Sequence, residues 1–208
     1  MPNSKSVGLR ANLDRSLWTS YPLICGVDEA GRGALAGPVY AAAVVMPPGV
    51  ELEGVDDSKL LSPRHRQSLA RNICREASEW AVAYCVPSTI DRINILRAAL
   101  RAMQRAVQKL GLRPDLAMFD GRQAPPVDCE HRSIIGGDRR SHAIACASIL
   151  AKTSRDRAMV LLDSRYPGYG FARHKGYPTR EHLTELRRRG PCPAHRLTFA
   201  PVRSAQRT

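Results

Sequence analysis

No stretch of about 18 consecutive apolar residues occurs in the 208-residue sequence, so it offers no candidate membrane-spanning helix. The segment from Met1 to Thr19 is polar and lacks the apolar core of a secretory signal. The six cysteines (25, 74, 85, 129, 146 and 192) include no Cys-x-x-Cys pair and no zinc-like spacing. Scattered in this way, they read as reduced thiols of a cytoplasmic protein. The six histidines show no ligand spacing, and no internal repeat is present. Lysine is scarce: of 32 basic residues, 27 are arginine and five are lysine.

Charge is abundant but uneven. The formal net charge is +13. Residues 138–208 hold 15 basic and five acidic residues, a net of +10, whereas residues 1–137 hold 17 and 14, a net of +3. A basic C-terminal third points to a polyanionic partner, most simply nucleic acid.

One segment carries more information than any other. Asp28-Glu29-Ala30-Gly31-Arg32-Gly33 sets adjacent carboxylates against a glycine-rich turn. Leu23-Ile24-Cys25-Gly26-Val27 before it reads as a buried strand, and Val39-Tyr40-Ala41-Ala42-Ala43-Val44-Val45 after it as a second. The acids are thus expected where a central strand ends and the chain turns back. Two neighbouring carboxylates repel unless something cancels their charge, and a divalent cation does so well. The glycines also fit a loose dinucleotide-binding pattern, but that turn must open a helix onto a pyrophosphate. Pro38 and the strand-like run that follow exclude it.

Further along, Ser62-Pro63 starts a helix from Arg64 to about Ser78, and Trp80–Val86 reads as a third strand. Ser88 is expected to cap one long helix reaching about Leu110. Leu116–Phe119 is a fourth strand ending at Asp120-Gly121, and Ser133–Gly137 a fifth ending at Asp138. A helix follows from Ser141 to about Ser164, its small residues at 143, 147 and 151 suited to lying close on a sheet. Thr179 caps a basic helix through Arg189. The sum is an α/β protein with a mixed central sheet flanked by helices. Two parts are expected: an α/β core over residues 1–165 and a small, basic, helical C-terminal extension over residues 166–208. Asp28, Glu29, Asp120 and Asp138 come from three segments at strand ends, where sites form in such sheets, and read together as a metal site.

Asp156 reads as a structural ion-pair partner beside Arg155 and Arg157. His174, His182 and His195 read as packing or backbone contacts, and Tyr166 and Tyr169 as loop-packing aromatics. Lys59, Lys152 and Lys175 suit phosphate contacts and structural roles equally.

Taken in order, these motifs closely resemble ribonuclease HII, the bacterial type 2 ribonuclease H. The resemblance covers Ile24 to Val202. It rests on the Asp28–Gly33 segment with Leu35-Ala36-Gly37-Pro38-Val39, on Asp57-Ser58-Lys59 and on Ile90-Asp91-Arg92-Ile93-Asn94-Ile95. Asp120-Gly121, Gly137-Asp138, Ala147-Ser148-Ile149-Leu150-Ala151-Lys152, Arg155-Asp156, His174-Lys175-Gly176-Tyr177-Pro178-Thr179 and His195-Arg196 extend it.

The resemblance implies a ribonuclease H-like fold and a metal-dependent endoribonuclease. Its implied substrates are the RNA strand of RNA–DNA hybrids and duplex DNA carrying single ribonucleotides, cut on the 5′ side to leave 5′-phosphate and 3′-hydroxyl ends. It implies Asp28, Glu29, Asp120 and Asp138 as ligands of Mg²⁺ or Mn²⁺, two ions acting with substrate bound. The turn Gly31, Arg32, Gly33 and the ring of Tyr177 are implied to read the ribose, with Ser58 and Lys59 as further substrate contacts. A monomer with no membrane partner is expected. Ala34, Arg122 and Gly136 depart from the family pattern, where proline, asparagine and lysine are usual; none is a carboxylate position. The rivals are a DNA-cutting nuclease of the same fold, and a binding protein that uses only the basic third.

Overall fold

The computed structural model describes residues 13–55 and 62–206, so Asp57, Ser58 and Lys59 lie outside the described residues. Five strands form one sheet in the order β3-β2-β1-β4-β5. They are β1 Ile24–Ala30, β2 Val39–Val45, β3 Glu79–Cys85, β4 Leu116–Asp120 and β5 Glu130–Ile134. β1 pairs antiparallel with β2, and β2 with β3, while β1–β4 and β4–β5 are parallel. This is the mixed sheet the sequence predicts.

Apolar side chains on the two faces of β1 meet different helices, as the two-residue repeat of a strand requires. Cys25 and Val27 pack with Ala98, Ala102 and Met103 of the helix Ile95–Gln108. Ile24 joins Ile144 of the helix His142–Arg165, whose next turns bury Cys146 and Ile149 against Ala42 and Val44. A Cβ at Gly26 would come within 2.1 Å of the Ala143 backbone, so the long helix lies closer to β1 than any side chain there would permit. Ser141 caps that helix, its hydroxyl accepting the Ile144 N–H at 3.2 Å.

Three expectations need correction. The single helix from Ser88 to Leu110 is two, Pro87–Ile93 and Ile95–Gln108, and Ser88 lies inside the first rather than capping it, Val86 holding the cap position. Between them Asn94 takes φ 65°, and its side chain accepts the Arg97 N–H at 3.0 Å, so it caps the second helix rather than continuing the first. The fifth strand is Glu130–Ile134 rather than Ser133–Gly137. Its residues are mostly exposed, and its pairing to β4 gives no apolar pattern to read. Finally, Asp28 and Glu29 lie inside β1, because their pairing with Ala42 and Ala41 carries the ladder past them.

After the break at residues 166–170 the chain forms the short helix Phe171–His174, then Arg180–Arg189 and Ala200–Ala205. Leu186 and Val202 bury Leu35 between them, which fastens this segment to the loop after β1. Asp91 accepts the Leu197 and Thr198 N–H groups, both at 3.0 Å, and fastens it again. All six cysteines are free thiols. Among the described residues no helix is long and apolar enough to cross a membrane.

Candidate active site

The carboxylates gather at one end of the sheet. Asp28 and Asp120 occupy neighbouring parallel strands, one residue past the paired Val27 and Phe119. Burial, followed by the charges of Glu29 and Asp120, holds Asp28 well above the usual carboxylate range. Its Oδ1 accepts the Glu29 N–H at 2.7 Å, and a hydrogen bond from Ser148 on the long helix opposes the rise. Glu29 is raised as well, chiefly by burial; Arg32, 3.2 Å from its Oε1, works against that rise and Asp120 adds to it. As adjacent strand residues, Asp28 and Glu29 point to opposite faces of the sheet.

Asp138 lies in the 3₁₀ turn Gly137–Arg139, just before the cap of the long helix. Asp120 Oδ1 accepts the Gly137 N–H at 2.7 Å, which ties that turn to the end of β4. A Cβ at Gly137 would stand 2.6 Å from Ile144 Cδ1 and 3.2 Å from Asp120 Oδ1, so only glycine permits the contact.

Oxygen donors of this kind suit a hard divalent cation. Burial and neighbouring carboxylates raise both Asp28 and Glu29, so positive charge would be stabilised here and the oxygen donors fit Mg²⁺ or Mn²⁺. Among the described residues no group of three or more His, Cys, Asp or Glu side chains is gathered closely enough to hold a metal ion by itself.

Beside the acids, the turn Gly31-Arg32-Gly33 is held from beneath by two buried arginines. Arg196 donates from Nη2 to the Gly31 carbonyl at 2.7 Å, from Nη1 to that of Arg32 at 2.9 Å, and from Nε to that of Gly37 at 3.0 Å. Arg155 donates to the carbonyls of Pro38, Ala36 and Lys175 at 3.1, 3.2 and 2.9 Å. Gly31 has φ 98°, and a Cβ there would overlap the Arg155 side chain at 2.0 Å. Arg155 also lies over the Tyr177 ring, 5.2 Å from its centroid. Tyr177 is the nearest neighbour to the open side of Gly33, its Cε1 3.9 Å from where a Cβ would be.

His182 Nδ1 meets the Tyr177 carbonyl at 2.9 Å, and its Nε2 meets His195 Nε2 at 3.1 Å. His195 Nδ1 accepts the Cys192 N–H at 3.0 Å. The pattern requires both rings to be neutral, with His195 donating to His182 and His182 to Tyr177. Burial and the neighbouring His182 pull His195 down to about 4. His174 stacks on His182 at 4.4 Å.

The structure therefore brings together Asp28, Glu29, Asp120, the Gly31–Gly33 turn and Tyr177, with the Asp138 turn anchored beside them. Asp156 is a structural ion-pair partner, but of Arg66 and Lys152 rather than its chain neighbours. Sequence reasoning missed Ser148, Arg155 and Arg196. All three lie within quoted motifs, yet nothing in an arginine's identity marks it as buried. The one available hint concerns Arg196, whose neighbours His195, Leu197 and Phe199 carry no run of charge, whereas Arg155 lies within Arg155-Asp156-Arg157 and gives none.

The chain matches the family model described as Ribonuclease HII over residues 25–202. It is 52% identical over 182 residues to a curated Ribonuclease HII of Bordetella pertussis, covering 88% of this chain and 90% of the relative. It is 53% identical over 194 residues to that of Myxococcus xanthus, covering 92% and 66%. Among solved structures, the ribonuclease H2 of Pyrococcus horikoshii OT3 shares its fold with TM-score 0.75 and 24% identity, over 89% of this chain and 97% of that one.

Proposed function

Since the chain belongs to the ribonuclease HII family and is thus a metal-dependent endoribonuclease acting on RNA–DNA hybrids, we propose that it also cuts duplex DNA at single embedded ribonucleotides, on the 5′ side. The observation that carries the finer reading is the position of Tyr177 against Gly33, in the turn that continues the carboxylate-bearing strand. A ribose laid in that corner meets a bare glycine backbone and an aromatic face. The acids lie immediately before the turn.

In this reading Asp28, Glu29, Asp120 and Asp138 hold Mg²⁺ or Mn²⁺, two ions when substrate is bound. Such ions supply a water that ionises near neutral pH and stabilise the charge that builds on phosphate and leaving oxygen. The protein's own part is placement. A water oxygen bonds to phosphorus as the bond from phosphorus to the 3′-oxygen breaks. The water's proton leaves, the 3′-oxygen gains one, and the ends are 5′-phosphate and 3′-hydroxyl. Ser148 and the Glu29 N–H hold the Asp28 carboxylate in place, and Gly137 does the same for Asp120.

Gly31, Arg32, Gly33 and Tyr177 select the ribose. A site built to hydrogen-bond a hydroxyl rejects the analogue without it, because its own polar groups are left unpaired. We assign Ser58 and Lys59 to contact with the same substrate strand. Residues 166–208 form the basic extension that meets backbone phosphates, beside a catalytic core of residues 1–165. We take the protein to act as a cytoplasmic monomer.

The test compares labelled duplexes carrying one ribonucleotide, a full RNA–DNA hybrid, all DNA and all RNA, with and without Mg²⁺ or Mn²⁺. Cleavage of the first two alone, only with metal, is expected. Equal cutting of the all-DNA duplex would move the protein to the DNA-cutting class.

A further inference from the structure

The Gly31-Arg32-Gly33 turn is exposed on its outer side at Arg32 and Gly33, while its inner side rests on a guanidinium. Among the described residues no cis peptide is present, and in a trans peptide the C=O and the following N–H point in opposite directions. The Gly31 carbonyl shares a peptide plane with the Arg32 N–H, and the Arg32 carbonyl shares one with the Gly33 N–H. By drawing both carbonyls inward, at 2.7 and 2.9 Å, Arg196 directs both N–H groups outward. Among the described residues no acceptor meets either of those two amides.

We propose that Arg196 is the positioning residue for ribose recognition, turning two backbone donors into the groove without touching substrate itself. The inference rests on the turn being the ribose reader. Arg196 is fully buried, and its charge is spread over three carbonyls. Burial, with Arg155 nearby, draws its own proton affinity down to about 9. Only a planar fork reaches three carbonyls at once; an ammonium on a flexible stem does not hold them in fixed directions.

Arg196 is in turn fixed by its surroundings. Its N–H donates to the Leu35 carbonyl at 2.9 Å, and Phe199 lies against the guanidinium at 5.2 Å. The next two residues are pinned to the Asp91 carboxylate. Arg155 adds a second support, filling the space under Gly31 and spanning three further carbonyls before it reaches the Tyr177 ring. The C-terminal segment therefore contributes to sugar selection through a residue that faces away from the substrate.

The experiment uses the full chain and Arg196→Lys, which keeps the charge and loses the fork. Equilibrium binding is measured without divalent ions on two duplexes that differ only in one 2′-hydroxyl. The parent is expected to favour the ribose duplex by about tenfold, the value of one well-placed hydrogen bond. In Arg196→Lys that ratio should collapse toward one, with affinity for the all-deoxy duplex within about twofold of the parent's, because phosphate attraction is unchanged. A variant that melts like the parent and keeps the ratio overturns the proposal. A parent with no ribose preference overturns the ribose reading of the turn, and the proposal with it.

Should Arg196→Lys fail to fold, amide hydrogen exchange in the parent decides instead. The Arg32 and Gly33 N–H groups should exchange quickly when free and slow on binding the ribose duplex, but not on binding its deoxy counterpart. Slow exchange in the free protein, or equal slowing by both duplexes, overturns it.

Discussion

Two groups of buried charge flank the Gly31-Arg32-Gly33 turn, and they are opposite in kind. At the strand ends, Asp28 is surrounded by charges of its own sign and held above its ordinary proton affinity by burial and repulsion. Beneath the turn, Arg155 and Arg196 are equally buried, yet each distributes its charge over three backbone carbonyls. Buried charge of one sign is the kind of cluster that a bound cation would stabilise. Charge absorbed by carbonyls marks a support, because it fixes the direction of every peptide it touches. In the proposed function the first group serves bond breaking and the second sugar selection.

The largest break in that comparison should come on the acidic side. Asp28→Asn and Asp120→Asn each lower turnover at saturating Mg²⁺ by on the order of 10²–10³-fold, the range seen when one charge-stabilising group is removed. Duplex binding persists, and Asp28→Asn without metal melts no lower than the parent, since a repelling charge has gone. Steady-state rates with parallel thermal melts check both halves.

A smaller and cleaner effect separates two neighbouring glycines. At Gly33 a Cβ meets only Tyr177 Cε1, at 3.9 Å, an ordinary contact, so Gly33→Ala should melt with the parent. In the proposed reading its methyl occupies the space the sugar needs, and turnover on a single ribonucleotide should fall by about 10²-fold, as for a misplacement of about 1 Å. Gly31→Ala, with φ 98° and Arg155 at 2.0 Å, should lose stability as well as activity. Parallel melts and rates on the two variants would show whether the glycines differ in this way. Tyr177→Phe removes one hydroxyl and should reduce the same rate by about tenfold, and Tyr177→Ala by more.

Acid should loosen the supporting side. His174, His182 and His195 all have folded proton affinities below the ordinary 6.5, mainly through burial, with His195 at about 4. For such groups the unfolded chain binds more protons, so their stabilising contribution is full above pH 6.5 and is lost as pH falls from 6.5 toward 4. The groups facing them include Arg173, Asp163, Tyr169 and Cys192 as well as the rings themselves. A pH series of thermal melts should show that decline, reduced in His195→Gln. The mildest effect concerns salt. Replacing the exposed Arg180 or Arg187 by Gln should reduce the slope of log affinity against log salt by about 0.9 for each phosphate no longer neutralised.

Most of the acidic side was legible in the sequence because its signals are local. An apolar strand, paired acids and glycines in a short turn each point to one structure, and Asp120 and Asp138 follow strands or precede a helix cap. What escaped depended on distance along the chain. Arg196 reaches Gly31 across 165 residues, and Arg155 reaches Ala36 across 119. No periodicity reports that a guanidinium has left solvent for the interior. Asn94 hid a helix break because its apolar neighbours kept the helical repeat through it, and β5 hid because an exposed edge strand has little apolar alternation. Asp91, which anchors the Arg196 segment, lay within a recognised motif that gave no sign of its partner.

The division of labour is tested most directly by measuring ribose preference in binding and cleavage on the same single-ribonucleotide duplex, for Asp120→Asn beside Gly33→Ala. The account predicts that Asp120→Asn binds with the parent's preference for ribose over deoxyribose and does not cut, while Gly33→Ala loses that preference. Loss of preference in Asp120→Asn together with its retention in Gly33→Ala would contradict it.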